Sequence, residues 1–300
     1  MNILLTGAAG QLGQELRASL AGQGEIIAVD RVPGQAGFIE QDLAELGRLE
    51  DLLNRNLPDV VINAAAYTAV DQAESEIYKA FRLNAELPAC LARWCQQNDR
   101  FLLHYSTDYV FDGESNRPYR EDDLPGPLSV YGESKLAGEW AIGASRCRHI
   151  ILRTSWVYST HGSNFVLNML RLARQKSELS IVSDQTGCPT WARNLAQASV
   201  AVLQQSTRPA VAAANTGVQH YCDSSVLTWY DFARTIFEQA AELNLLLEIP
   251  RLKAIRSTEF PHVARRPAFS VLDTASIQDK FGVKPPDVHE SLRACLEELG

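Results

Sequence analysis

The segment Gly7-Ala8-Ala9-Gly10-Gln11-Leu12-Gly13 follows the apolar run Ile3-Leu4-Leu5 and leads into helical periodicity from Leu12 to Leu20. A glycine-rich passage from strand to helix leaves a chain few options. Glycine admits backbone dihedrals and close approaches that other residues do not. The amides at the start of the helix face the turn, where a pyrophosphate is stabilised. The chain should therefore open on a βα unit that holds a dinucleotide through Gly7, Gly10, Gln11, Leu12 and Gly13. Gly7 and Gly10 stand three positions apart, wider than in the ordinary dinucleotide fingerprint.

The same alternation continues. Ile26-Ile27-Ala28-Val29, Val60-Val61-Ile62, Phe101-Leu102-Leu103 and Ile150-Ile151-Leu152 are short continuous apolar runs, separated by helical patterns such as Leu43 to Leu53. Strands covered on both faces read this way. The fold class is α/β, a doubly wound parallel sheet of the Rossmann type. After Arg153 the alternation weakens. Helical pieces, Phe165 to Arg174 and Trp229 to Leu243, are joined by connections containing Pro250, Pro261, Pro267, Pro285 and Pro286, which exclude long uninterrupted elements. The expected division is a dinucleotide-binding domain from residues 1–155 plus roughly 179–218, interleaved with a smaller, mixed substrate lobe from roughly 156–178 and 219–300. A chain of 300 residues is long enough for both.

Charge and cysteine usage narrow the partners. A net charge of -8 disfavours nucleic acid or an anionic membrane surface as partner, while leaving room for a local basic pocket. The six cysteines show neither zinc spacing nor the density of a disulfide scaffold, so they are expected as reduced thiols, with no metal site. No apolar stretch suits a bilayer. The first strand starts at Asn2, with no targeting segment before it, and the expected location is the cytoplasm.

The second apolar run ends at Asp30, twenty positions after Gly10. A carboxylate there hydrogen-bonds the adenosine ribose hydroxyls, which favours NADH. Arg31 follows at once, and a guanidinium matches a ribose 2′-phosphate, which favours NADPH. Both cofactors fit. Asp42-Leu43 opens the next helix and would border the adenine, although a helix N-cap accounts equally well for Asp42.

Tyr131 and Lys135 are four residues apart and share one face of a helix. A tyrosine titrates at about 10 unperturbed, and a neighbouring ammonium stabilises its phenolate. Ser106-Thr107-Asp108-Tyr109-Val110-Phe111-Asp112-Gly113 begins where the fourth apolar run ends, at the sheet edge that binds ligands. There the Thr107 hydroxyl can bond the same carbonyl oxygen as Tyr131. Together these features describe hydride transfer beside a general acid, with Thr107, Tyr131 and Lys135 as catalytic residues. His104 reads as a core or strand-end histidine.

Further blocks sharpen the assignment: Asn63-Ala64-Ala65-Ala66-Tyr67-Thr68-Ala69-Val70-Asp71, Asn84, Arg153-Thr154-Ser155-Trp156-Val157-Tyr158 and Asp184-Gln185-Thr186-Gly187-Cys188-Pro189-Thr190. With them, nearly the whole chain resembles the extended short-chain dehydrogenases that act on nucleotide sugars, specifically the dTDP-4-dehydrorhamnose reductase family. The glycine spacing is also the one short-chain dehydrogenases favour. The resemblance implies that NADPH or NADH gives hydride to C4 of dTDP-4-dehydro-β-L-rhamnose, forming dTDP-β-L-rhamnose, while Tyr131 protonates the oxygen. Lys135 would tune Tyr131 and hold the nicotinamide ribose, and Ala64, Ala65, Ala66, Tyr67 and Asn84 would line the cofactor. Thr68, Val70 and Trp156 would frame the sugar, with Asp108 beside Thr107, although Val70 and Trp156 read equally as packing residues. Arg266, next to Arg265, would neutralise the diphosphate or form part of a solvated pair.

The implied partner is a dTDP-sugar, and the chain would be a monomer or homodimer. Some family members dimerise through a magnesium ion held by carboxylates. Glu15 is present here, but Trp191-Ala192-Arg193-Asn194 places a cation where a carboxylate is wanted, so no such metal bridge is expected. Two other activities share parts of the pattern. The regulatory β subunit of methionine adenosyltransferase is similar around Ser106 to Gly113 and Tyr119 to Glu139. A nucleotide-sugar epimerase or dehydratase shares the core but recycles tightly held NAD. The Thr154-Ser155-Trp156 block is what the resemblance to the reductases implies.

Overall fold

The computed structural model describes residues 1–32, 36–207 and 216–300. In the first half, β1 (Asn2–Thr6) leads through the glycine loop to α1 (Gln11–Ser19), β2 (Glu25–Asp30), β3 (Phe38–Glu40), α2 (Leu46–Asn56) and β4 (Val60–Asn63). Next come α3 (Val70–Ala73), α4 (Ile77–Phe81), α5 (Leu87–Gln97), β5 (Phe101–Thr107), α6 (Val130–Ser145) and β6 (Arg148–Thr154). The second half holds β7 (Val157–Tyr158), α7 (Phe165–Ala173), β8 (Glu178–Val182), β9 (Thr186–Gly187), β10 (Thr190–Trp191) and α8 (Ala192–Ser206). It ends with β11 (Gly217–His220), β12 (Leu227–Thr228), α9 (Trp229–Glu242), β13 (Arg251–Ile255), α10 (Ala275–Phe281) and α11 (Val288–Glu297).

Seven strands form one sheet in the order β11-β6-β5-β4-β1-β2-β3, every pair parallel. Successive residues of β1 go to opposite sides: Ile3 and Leu5 join a core with α1 and α8, Leu4 a core with α2 and α5. Helices cover both faces, so no strand position near the centre can be polar without a partner, and the apolar runs are continuous. The chain winds outward from β1 to β3, then returns to place β4 on the other side of β1. That reversal opens a crevice at the carboxyl ends of β1 and β4, where open α/β sheets bind ligands. A separate core of Tyr158, Val166, Ile181, Phe232, Phe237 and Leu292 lies in the second half. Among the described residues, no helix is long and apolar enough to cross a membrane.

Two sheet strands carried no signal in the sequence. β3 is three residues long at the sheet edge with Ile39 exposed, and β11 reads Gly-Val-Gln-His, with Gln219 and His220 buried by what packs on them. The reading at Asp42-Leu43 is corrected. The helix starts at Leu46, because Asp42 Oδ1 accepts the Ala44 amide at 2.9 Å and makes a local turn that competes with helix. Leu43 is buried in the core with Leu49 and Leu53.

Candidate active site

The crevice is built from backbone first. Gly7 has φ +67°, and a Cβ there would lie 2.6 Å from the Ala65 nitrogen, so this glycine lets the tips of β1 and β4 touch. A Cβ on Gly13 would lie 2.1 Å from the Gly7 carbonyl oxygen, so α1 starts directly on the loop. Gly10 precedes α1 in extended conformation and no side chain caps the helix, which leaves first-turn amides available to an anion. Gln11 reaches out of the loop, donating to the Val157 carbonyl at 3.3 Å and accepting from Asn164 at 3.4 Å. Asp30 accepts the Ala9 amide at 2.9 Å and the Arg31 amide at 2.7 Å. Its carboxylate thus buttresses the glycine loop while keeping lone pairs for a ligand. Arg31 is exposed beside it.

Asn84 lies in a π-helical turn, Arg82–Glu86, a local irregularity that often accompanies functional sites. It is wholly buried: Oδ1 accepts the Tyr67 amide at 2.8 Å, and Nδ2 donates to the Tyr67 carbonyl and Ser134 Oγ, both at 3.0 Å. The sequence placed Asn84 in contact with cofactor. Here both Nδ2 protons and one Oδ1 lone pair fasten the Ala64 to Tyr67 loop to α6. Tyr67 donates to Glu76 at 2.6 Å, which pushes its phenol up to about 12. Thr68 is exposed and Val70 begins α3. Asp71 accepts from the Val263 and Ala264 amides at 3.2 and 3.0 Å and from Arg266 at 3.0 Å, so Arg266 is oriented by a carboxylate from the first half. Arg265 is exposed.

Thr107 ends β5 with its Oγ1 accepting the Tyr109 amide at 3.2 Å and donating to Asp108 at 3.1 Å. Ser129 caps α6, and a Cβ on Gly132 would lie 2.3 Å from the Tyr109 carbonyl oxygen. Glycine between Tyr131 and Lys135 therefore lets the start of α6 rest on the Thr107 to Val110 turn. Tyr131 is half-buried, with its ring edge-on to Tyr109. Burial pushes its phenol up to about 12, against the Thr107 hydroxyl, which favours the phenolate. Burial also pushes the Asp108 carboxyl up to about 6.

Lys135 is 2% exposed, with Nζ donating to the Tyr105 carbonyl at 2.6 Å and standing 3.4 Å from His104 Nε2. Burial lowers it to about 8, against the attraction of Glu139. Desolvation is the largest influence on the Tyr131 phenol, which keeps its proton at neutral pH in this state. A protonated phenol is what reduction of a carbonyl requires.

Trp156 has φ +47°, a left-handed conformation that costs a non-glycine residue on the order of 1–3 kcal/mol and concentrates at functional sites. Its indole stacks flat on Trp229 at 3.5 Å, and a Cβ on Gly187 would lie 2.6 Å from it. Ser155 Oγ donates to the Cys188 carbonyl at 2.5 Å, which ties the two later sequence blocks together. Trp229 was not singled out from the sequence; an aromatic at a helix start carries no site signal by itself.

A family model described as RmlD substrate binding domain matches residues 1–300. The dTDP-4-dehydrorhamnose reductase of Shigella flexneri is 40% identical over 301 residues, spanning 100% of this chain and 98% of that one. The chain belongs to the dTDP-4-dehydrorhamnose reductase family. A solved dTDP-4-dehydrorhamnose reductase from Clostridium acetobutylicum superposes with a TM-score of 0.88 at 34% identity, covering 100% and 99% of the two chains. The Bacillus anthracis dTDP-4-dehydrorhamnose reductase, solved in complex with NADP, gives 0.87 at 29% identity, with 99% of each chain covered. These matches support the doubly wound reading over the full length.

The magnesium bridge known in this family does not fit the residues present. Arg193 donates through Nε to Glu15 Oε2 at 3.0 Å and through its other nitrogens to Glu298, so a guanidinium fills the space between the carboxylates. A hard divalent ion needs oxygen ligands and is repelled by that charge. Chelation with EDTA should therefore leave the melting temperature and the hydrodynamic size unchanged, as should added magnesium. A shift in either quantity would restore a metal to this site.

Proposed function

We propose that this chain reduces the C4 keto group of dTDP-4-dehydro-β-L-rhamnose to dTDP-β-L-rhamnose at the expense of NADPH or NADH. The observation that carries the reading is the half-buried Tyr131 phenol beside Thr107, at the carboxyl edge of β5, in a full-length member of this family. The crevice fits a dinucleotide, since Gly7 and Gly13 stand where any Cβ would collide with backbone and α1 starts uncapped. Gly10, Gln11 and Leu12 would hold the pyrophosphate, Asp30, Arg31 and Asp42 the adenosine end, and Ala64, Ala65 and Ala66 the middle. When bound, the reduced nicotinamide supplies the hydride.

Thr107 and Tyr131 bond the keto oxygen, and Tyr131 passes its proton to that oxygen as C4 becomes tetrahedral, so no free alkoxide forms. Lys135 and the Thr107 hydroxyl stabilise the phenolate left behind. Thr68, Val70, Asp108 and the Trp156 indole frame the sugar, and Arg266, oriented by Asp71, meets the diphosphate. Leu179, Ile181 and Trp191 join the separate core of the second half and β8 pairs with β13, which favours a substrate lobe that extends past the expected boundary at residue 178. The free thiols fit a reducing cytoplasm, and the chain acts as a monomer or as a homodimer without metal.

The test is direct. Folded protein given the 4-keto sugar nucleotide should consume NADPH or NADH stoichiometrically and release dTDP-rhamnose. Unchanged cofactor absorbance would remove the proposal, and an isomerised product without cofactor consumption would indicate epimerase chemistry.

A further inference from the structure

The carboxyl end of the central sheet carries a polar rung that the reaction does not explain. β1, β4 and β5 are in register at Thr6, Asn63 and His104, so these three side chains stand side by side on one face. Two residues earlier on that face, Leu4, Val61 and Leu102 are apolar and buried. Thr6, Asn63 and His104 are at most 1% exposed, and buried polar groups are costly unless bonded. They are bonded in series: Thr6 Oγ1 donates to Asn63 Oδ1 at 2.7 Å, and Asn63 Nδ2 donates to His104 Nδ1 at 3.0 Å. His104 Nε2 then faces Lys135 Nζ at 3.4 Å.

We infer that Thr6, Asn63 and His104 form a ladder that positions Lys135, and that the direction of its hydrogen bonds follows the protonation state of the lysine. A neutral imidazole carries one proton, so its two nitrogens have opposite roles. With Asn63 donating to Nδ1, the proton sits on Nε2 and requires an acceptor, which is the lone pair of a neutral Lys135 amine. With an ammonium opposite, Nε2 must accept instead. Nδ1 then carries the proton and donates to Asn63 Oδ1, and the amide turns over to donate to Thr6 Oγ1. Either arrangement satisfies every member of the chain, and a mixture leaves two donors facing each other. A buried chain satisfied only as a unit switches as a unit.

The charged and titratable groups around the pair are few. Glu139, on the same helix as Lys135, is bonded to Arg153 of β6. His149 of β6 lies opposite Leu102, two residues before His104 on β5, and Tyr131 lies one turn before Lys135 on α6. Burial, Lys135 and His149 all hold His104 well below the usual imidazole range, so the ring stays neutral while the lysine titrates. The functional meaning of this ladder rests on the proposed role of Lys135, but its test does not.

Protein with isotope-labelled histidine, examined by nitrogen NMR across the alkaline range, should show the protonated and unprotonated resonances of His104 exchanging between Nδ1 and Nε2 near pH 8, where Lys135 ionises. Lys135→Met should lock one tautomer at every pH; Lys135→Gln serves if the methionine variant does not fold. A single tautomer throughout in the native protein, the same exchange in the lysine variant, or conversion of His104 to imidazolium would overturn the inference. Loss of C4 reduction would not move this readout, so failure of the proposed reaction and failure of the ladder are separable.

Discussion

Tyr131→Phe is expected to lower kcat for C4 reduction by about 10²–10⁴ while leaving cofactor affinity unchanged. The substitution removes one oxygen and nothing that holds the backbone: Ser134 bonds the Tyr131 carbonyl at 2.8 Å, and Ser129 caps the helix through the Gly132 amide. The ring's edge-on contact with Tyr109 survives in phenylalanine. What disappears is the only phenol this reading assigns to the keto oxygen, leaving the proton to come from water. Steady-state kinetics and a fluorescence titration of cofactor check both halves. Turnover near that of the native chain would mean that another group protonates the oxygen.

Glu139→Leu is expected to destabilise the fold by about 3–5 kcal/mol, the usual consequence of leaving one charge of a buried pair alone. Glu139 and Arg153 approach to 2.7 Å with both side chains 4% exposed. The remaining neighbours of Arg153 cannot replace the carboxylate. His220, 3.4 Å away, is pushed down to about 3 by burial and the arginine, so it stays neutral, and Phe111 offers only its ring face at 5.1 Å. Urea unfolding measures the loss. The double variant Glu139→Leu with Arg153→Met should recover most of it, because removing both charges leaves none to desolvate. A single-variant loss below about 1 kcal/mol, the range of exposed pairs, would contradict this burial. Glu139 also opposes the desolvation of Lys135, so the same variant should lower the ionisation of that lysine further.

The sequence alone carried whatever is decided within a few residues. Two-sided burial wrote β1, β2, β4, β5 and β6 as continuous apolar runs, the needs of a strand-to-helix turn selected Gly7, Gly10 and Gly13, and helical spacing put Tyr131 and Lys135 on one face. The edge strands β3 and β11 escaped because no such pattern marks them, and the start of α2 because the Asp42 turn outcompetes helix. Tertiary structure decided what depends on distant partners and on desolvation. It stacked Trp229 on Trp156, turned Arg266 toward Asp71 across 195 residues, set Arg193 between Glu15 and Glu298, and closed Asn84 into the interior. Spacing brings an ammonium onto the same helix face as Tyr131, but only packing removes water from the phenol and pushes it up.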